Sequence, residues 1–487
     1  MKKIAIYLFL ICFSFACESV VEGLNDDPNN PSDAPAELIF TGVQIANATT
    51  HEGLTARLAA MWSSQIKGVD RQWGDFQAYN VGGSNFSNMW DNVYYGTLRN
   101  SRLVLDKVEP QGLRVFAGMT KVTQAHCIGN ATALWGDVPF SQAALIEEFE
   151  TPLFDPQSDI YAELQALLDE AIADLESGIG IPGSGTDIFY DASPSLWIEA
   201  AYTLKARFYM DTKQYDLAAQ AAENGISTFA NSMYMPHGTT NDVDINMYWD
   251  FLGPSRGGDI AAEDDQGAAY LVELLNPEST GYRGHAKTDE SARFNYYYVL
   301  AENARNTPGK TEPNTFSTAL GDTVNGFFAQ DASFPLITYQ ENLLTLAETA
   351  VRNGSFDEGL AHLNEYRAFL NSGGYIDPTY QESFTFSYMP FTAADFASGG
   401  IENPDGLSDS DALLKEIVEE RYVTFYGQTI AWNDERRTRG SVTEIPISPN
   451  IGNELPWRFI YSQDEINGNP NVPKPVPGAF VNMSIYE

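Results

Sequence analysis

Two well-separated stretches of this chain repeat one pattern that few architectures can satisfy. In the first, small or aromatic residues fall at Tyr202, Ala206, Tyr209, Tyr215, Ala218 and Ala222. In the second, small or apolar residues fall at Leu343, Leu346, Ala347, Ala350, Gly354, Phe356, Gly359 and Leu363. Apolar positions three and four apart line one face of a helix, so each stretch reads as a helix, a short turn and a second helix. Ala206 and Ala218, or Ala347 and Gly359, leave room for the two helices to approach closely. Tyr215 and Phe356 then fill the gap before the second helix, and together with Tyr209 they are expected in the core. Such a pair cannot bury its apolar face alone and needs neighbours stacked against it.

The rest of the chain supplies those neighbours. Helical periodicity begins at Ala36 with Leu38, Val43, Ile45 and Ala46, and continues through Leu54, Leu58, Ala59 and Trp62. Further helices are predicted from Trp90 to Val108, from Val115 to Leu134 and from Ile160 to Leu175. The last runs from Asp409 to Tyr426 with Ser408 as its N-cap. Residues 69–84 read as a loop rich in glycine and aromatics. Residues 232–334 and 377–404 read as long irregular insertions, and 445–487 as a proline-rich tail. The expected fold is mostly α: a tetratricopeptide-like scaffold of helical pairs, whose irregular insertions form the ligand-binding half. Long ordered loops on a rigid frame are where binding resides.

The N-terminus carries an address. Met1-Lys2-Lys3 is basic, Ile4 to Phe13 is uncharged and apolar, and Ser14-Phe15-Ala16 precedes Cys17. This is the layout of a secretory signal peptide, and its apolar stretch is too short for a permanent membrane span. Cysteine at that place resembles a bacterial lipobox, in which the thiol is acylated; Ser14 stands where leucine is usual. Residues 1–16 are therefore expected to be a lipoprotein signal peptide and residues 17–35, rich in Asn, Asp and Pro, a lipid-anchored flexible tether. Residues 36–487 are expected to form a single domain. With Cys12 removed and Cys17 acylated, only Cys127 remains, so no internal disulfide can form and stability must come from a core. The chain holds 28 Lys+Arg against 66 Asp+Glu, a net charge of −38. Such a field repels nucleic acid and anionic surfaces at long range.

Signals for catalysis are weak. Gly253-Pro254-Ser255-Arg256-Gly257 has the spacing of a hydrolase elbow, but that motif needs a strand before it and a helix after it. Pro254 and Gly258-Asp259 suit a turn instead. Gly309-Lys310-Thr311 ends like a phosphate loop, yet Ala304 replaces its first glycine and Pro308 interrupts it. The five histidines lack metal-ligand spacing. Asp242, Asp244 and Asn246 have calcium-loop spacing, but Met247 sits where glycine is required. No enzyme activity and no cofactor are expected, and a structural Ca²⁺ elsewhere among the acids is left open.

A binding site is easier to find. Sugars present an apolar face of C–H groups and a rim of hydroxyls, so they need flat aromatic platforms beside a few directed polar groups. The densest such cluster is Asp70, Arg71, Trp73, Phe76, Tyr79 and Asn80. A second holds Trp249 with Arg256 nearby, and a third Tyr282, Arg283 and Tyr296. The competing reading for each ring is packing: Trp73 and Tyr79 would simply close their loop onto the helices.

Several segments, taken in order, resemble the SusD/RagB outer-membrane lipoproteins of Bacteroidota. They include Trp135-Gly136-Asp137-Val138-Pro139, the run from Trp197 to Arg207, Phe334-Pro335-Leu336-Ile337-Thr338-Tyr339 and Leu346-Ala347-Glu348-Thr349-Ala350. Glu419-Glu420-Arg421-Tyr422, Glu435-Arg436-Arg437 and the stretch from Leu455 to Asn467 complete the set. The resemblance implies a lipid-anchored protein on the outer face of the outer membrane. It also implies a partner, a SusC-like TonB-dependent transporter over which the lipoprotein closes as a lid. Members capture glycan fragments or peptides and deliver them to the barrel, often with ligand contacts in the region of residues 70–80. The expected function is oligosaccharide capture; peptide capture, glycoside hydrolysis and pure protein scaffolding are the alternatives.

Overall fold

The computed structural model describes residues 34–381 and 384–486. The expected signal peptide, Cys17 and residues 18–33 of the expected tether lie outside them. The fold begins with α1 (Ala36–Glu52) and α2 (Leu54–Trp62). A short helix, α3 (Arg71–Gln77), follows. Then α4 (Ser87–Asp91) passes through a π-helical segment, Asn92–Arg99, into α5 (Asn100–Val108). Residues 69–84 are thus not all loop. Asp70 accepts a hydrogen bond from Arg71 N at 2.8 Å at the start of α3, a helix too short to show periodicity in sequence.

The scaffold proper is an array. α6 (Arg114–Trp135) packs on α7 (Gln157–Glu176), and α7 on α8 (Pro194–Asp211). α8 packs on α9 (Tyr215–Ala222), α9 on α10 (Tyr339–Arg352) and α10 on α11 (Phe356–Asn371). The two helical pairs read from the sequence are therefore neighbours in space, with the insertion between them looped out. α6 is buried along nearly its whole length, its polar side chains included: Thr120, Lys121, Gln124, His126 and Asn130 are all buried. Ala206, Ala218, Ala347 and Gly359 are buried at the helix contacts as their size requires. Tyr209, Tyr215 and Phe356 are only half-buried, which corrects their expected place in the core. Tyr215 lies under the Arg352 guanidinium, 4.4 Å from its ring centre, at the exposed end of its pair.

Two more helices close the frame, α12 (Asp409–Thr424) and α13 (Thr429–Thr438). Ser408 caps α12 by accepting from Asp411 N at 3.2 Å. α13 has no counterpart in the sequence reading, and its run Asn433-Asp434-Glu435-Arg436-Arg437 shows why. All five residues are buried, so the apolar stripe that marks a helix is missing and ion pairs take its place. Arg437 donates twice to Glu348 of α10 at 2.6 Å, and Arg421 of α12 pairs with Asp434 at 2.9 Å. Arg436 is held instead by carbonyl oxygens, donating to Ala133 O at 2.9 Å and Trp457 O at 2.8 Å; buried charges of this kind are tolerable only because each is paired or hydrogen-bonded.

The first insertion is clamped at its neck. β1 (Met233–Met235) leaves the frame and β2 (Phe334–Ile337) returns to it, paired antiparallel with a bulge between Met233 and Tyr234. Inside the insertion, strands are two residues long and aromatic contacts do the anchoring. Tyr248 stacks on Phe328 at 4.1 Å and donates to Gly427 O at 2.8 Å. Tyr298 donates to Gln65 O at 2.8 Å. The second insertion is held by Arg367 of α11, which donates to Met389 O and to Lys287 O. Among the described residues no helix is long and apolar enough to cross a membrane, and Cys127 is a free, buried thiol.

Candidate functional site

Where the neck of the first insertion and the start of the second meet the frame, they leave a cleft of about 540 Å³. Its floor is built by buried rings: Tyr296 and Tyr297 from the short helix Ser291–Tyr297, Tyr366 from α11 and Phe425 just after α12. Half-buried rings line it too, Phe229, Tyr234, Phe327 and Tyr375. The neck fixes Tyr234, because the bulge in β1 falls beside it.

Polar groups sit between the rings. Gln340, in the first turn of α10, is 9% exposed; its Nε2 donates to Tyr234 Oη at 3.2 Å, while its Oε1 has no partner. A buried acceptor left unpaired costs about 1–3 kcal/mol. Asp377 accepts from Thr379 N at 2.8 Å and from Thr379 Oγ1 at 2.6 Å. Burial, and then the Asp377 charge, hold the Tyr296 phenol well above its ordinary range, while the Asp377 amide N–H reaches its oxygen. Tyr296 is therefore a neutral hydroxyl at any physiological pH. Flat rings interleaved with hydroxyls and an amide suit a ligand with alternating apolar and hydroxylated faces.

The residues singled out from the sequence fall in three separate places. Tyr296 alone lines the aromatic cleft. In the 70–80 segment the rings face inward. Trp73 is 1% exposed, Phe76 and Phe251 meet its ring edge-on at 5.2 and 4.7 Å, and Arg57 lies 5.9 Å from its centre. The Phe76 carbonyl accepts from Trp62 Nε1 at 3.0 Å, and the Tyr79 hydroxyl accepts from Asn450 N at 2.9 Å. This is the packing alternative stated for these rings. Asp70, Arg71 and Asn80 are exposed. Arg71 pairs with Asp259 at 2.5 Å, and Asn80 donates to Asp75 at 3.2 Å. Beside them a smaller cavity of about 260 Å³ opens between Gln77, Asp264 and Lys310. Trp249 is buried, with its backbone N–H on Asn246 Oδ1.

Tyr282 and Arg283 line a third, polar cavity of about 420 Å³ with His285, Glu402, Glu416 and Glu419. Arg283 is committed there, pairing with Glu416 at 2.7 Å, Glu420 at 2.9 Å and Glu419 at 3.0 Å. Tyr282 Oη accepts from Glu290 N at 3.0 Å. Ser255 of the elbow-like motif donates to Asp250 at 2.8 Å rather than to a histidine. Asn246 of the calcium-like spacing caps the helix Met247–Asp250. Among the described residues, no group of three or more His, Cys, Asp or Glu is placed to hold a metal ion.

The sequence reading missed Tyr234, Gln340, Tyr375 and Asp377. Each lies at the edge of an insertion and none stands in an aromatic-rich cluster. The one available signal was topological: the ends of the two insertions had to meet on the frame.

A family model described as "Starch-binding associating with outer membrane" matches residues 28–462. The chain belongs to the SusD-like family. Solved structures agree in fold. A SusD/RagB family protein from Bacteroides thetaiotaomicron superposes with a TM-score of 0.67 at 20% identity, over 93% of this chain and 98% of that one. A chitin-binding SusD homolog from Flavobacterium johnsoniae gives 0.64 at 15% identity, over 92% and 99%. A SusD homolog from Parabacteroides distasonis gives 0.66 at 15%, over 93% and 97%. No curated protein matches. The SusD-like assignment fixes a mostly helical, tetratricopeptide-like architecture and an outer-membrane-associated, glycan-binding family.

Proposed function

We propose that this SusD-like chain captures oligosaccharides at the cell surface, in the aromatic cleft, and passes them to a SusC-like TonB-dependent transporter. It acts by binding and not by making or breaking bonds. Acylation at Cys17 would hold it to the outer membrane, facing outward. The observation that carries the reading is the cleft itself. Half-buried rings line it together with a buried amide that bonds Tyr234 by its nitrogen and leaves its oxygen unpaired. Pre-set geometry of this kind spares a ligand the cost of ordering its site. The starch and chitin named for the family model and for one relative supply the first ligands to try.

The test is calorimetry of the mature chain with malto- and chito-oligosaccharides. At least one series is expected to bind. Tyr234→Ala should weaken that binding about tenfold, because a stacked ring is worth roughly 0.5–1.5 kcal/mol beyond its area. Binding that survives both Tyr234→Ala and Tyr375→Ala unchanged would place the ligand elsewhere. Stabilisation by peptide pools alone would replace the glycan by a peptide.

A further inference from the structure

We propose that the cleft takes neutral and amine-bearing glycans and rejects acidic ones, and that Asp377 makes this selection. The proposal rests on the glycan reading above and adds a ligand class to it.

The charge content of the cleft is lopsided. Among the described residues that line it there is one carboxylate, Asp377, and no Lys, Arg or His. Elsewhere several buried carboxylates are neutralised by arginines, as Glu341 is by Arg207, Glu348 by Arg437 and Glu420 by Arg293. Asp377 has no such partner among the described residues. It is held by the Thr379 amide and hydroxyl and, at 3.4 Å, by Asn325 Nδ2. Those donors fix its direction without cancelling its charge. A uronate or sulfate entering the cleft would face that charge, with no cation there to receive it. Partial enclosure strengthens the repulsion, because less water screens it. A neutral sugar feels none of this, and an ammonium is attracted.

Gln340 adds no charge of its own to the cleft. Its amide is one end bonded to Tyr234 and one end free. Turning the amide over exchanges the ends but still leaves one unpaired. The long-range field of the chain, net −38, also disfavours acids, but that effect is screened by salt and Asp377 inside the cleft is screened less.

The experiment uses the full mature chain and three tetrasaccharides of equal length: an N-acetylated or otherwise neutral one, a deacetylated basic one and an oligogalacturonate. Affinities are measured by calorimetry in low and in high salt. The neutral and basic ligands are expected to bind at least tenfold more tightly than the acid, and the gap should persist in high salt. In Asp377→Asn the ratio of neutral to acidic affinity should fall toward one, whatever the absolute affinities. Equal binding of acid and neutral ligand by the parent chain would overturn the proposal while leaving glycan capture intact. So would a gap that vanishes in high salt, or one that Asp377→Asn leaves unchanged. Failure of every glycan to bind would overturn glycan capture first, and the selection with it. Should Asp377→Asn fail to fold, the salt series on the parent chain decides alone.

Discussion

Asp211, at the C-terminal end of α8, shows how far one side chain can depart from its sequence signal. It reads as an ordinary acid closing a helix. In the fold it is 5% exposed and accepts from Tyr161 Oη at 3.3 Å. Burial, then the neighbouring Asp434 charge, raise its pKa to about 7 against the pull of Arg207, Arg437 and Arg436. The folded state therefore holds a proton that the unfolded chain releases near pH 4. A raised carboxylate contributes stability that is fully present below the unfolded pKa and is lost as pH rises through the folded one. Asp211→Asn keeps the acceptor for Tyr161 without the charge. It should match the parent near pH 3, below the unfolded pKa, and exceed it increasingly as pH rises, by up to about 4 kcal/mol near pH 8, read from urea midpoints; an unchanging difference across that range would refute the assignment. The same opacity hid the cleft. Arg283 looked available in sequence, yet its partners Glu416, Glu419 and Glu420 lie over a hundred positions away. A lone glutamine such as Gln340, inside a helical pattern, announced nothing.

Elements were legible where periodicity and residue size agreed. The pairs α8–α9 and α10–α11 follow from small residues at their contacts, and the space around Gly359 makes the reason measurable. A Cβ there would lie 2.3 Å from Val351 Cγ2 and 3.0 Å from the Ala347 carbonyl oxygen. In an open helix, Gly→Ala would gain up to about 1 kcal/mol from propensity. Here overpacking costs more, so Gly359→Ala should lose about 1–3 kcal/mol and lower the melting temperature. A stabilised variant would mean that the two helices are not held at this distance. α13 and α3 escaped for opposite reasons. The first is buried through ion pairs instead of an apolar stripe, and the second is too short to carry one.

At the scale of the whole molecule, the irregular insertions are not passengers on a finished scaffold. One continuous core contains Trp62, Tyr422 and Trp432 of the frame together with Tyr248, Phe294 and Phe328 of the first insertion. The sequence suggested the division into frame and insertion because periodicity stops at residue 232. It could not show that aromatic rings take over the role of periodic apolar residues, since rings in irregular backbone leave no period to detect. A shared core predicts shared unfolding. Denaturation of the chain should follow one transition, with far-ultraviolet dichroism, which reports the helices, coinciding with hydrogen-exchange protection of peptides from residues 232–334, which reports the insertion. Tyr248→Phe sharpens the test. It removes the hydroxyl that meets Gly427 O at 2.8 Å, at the seam between insertion and frame, for a loss of about 1–2 kcal/mol. If frame and insertion are one cooperative unit, both signals shift together by the same amount. A protection curve of the insertion that moves while the helical signal stays would mean that the insertion unfolds on its own, and that the cleft between them opens without unfolding the frame.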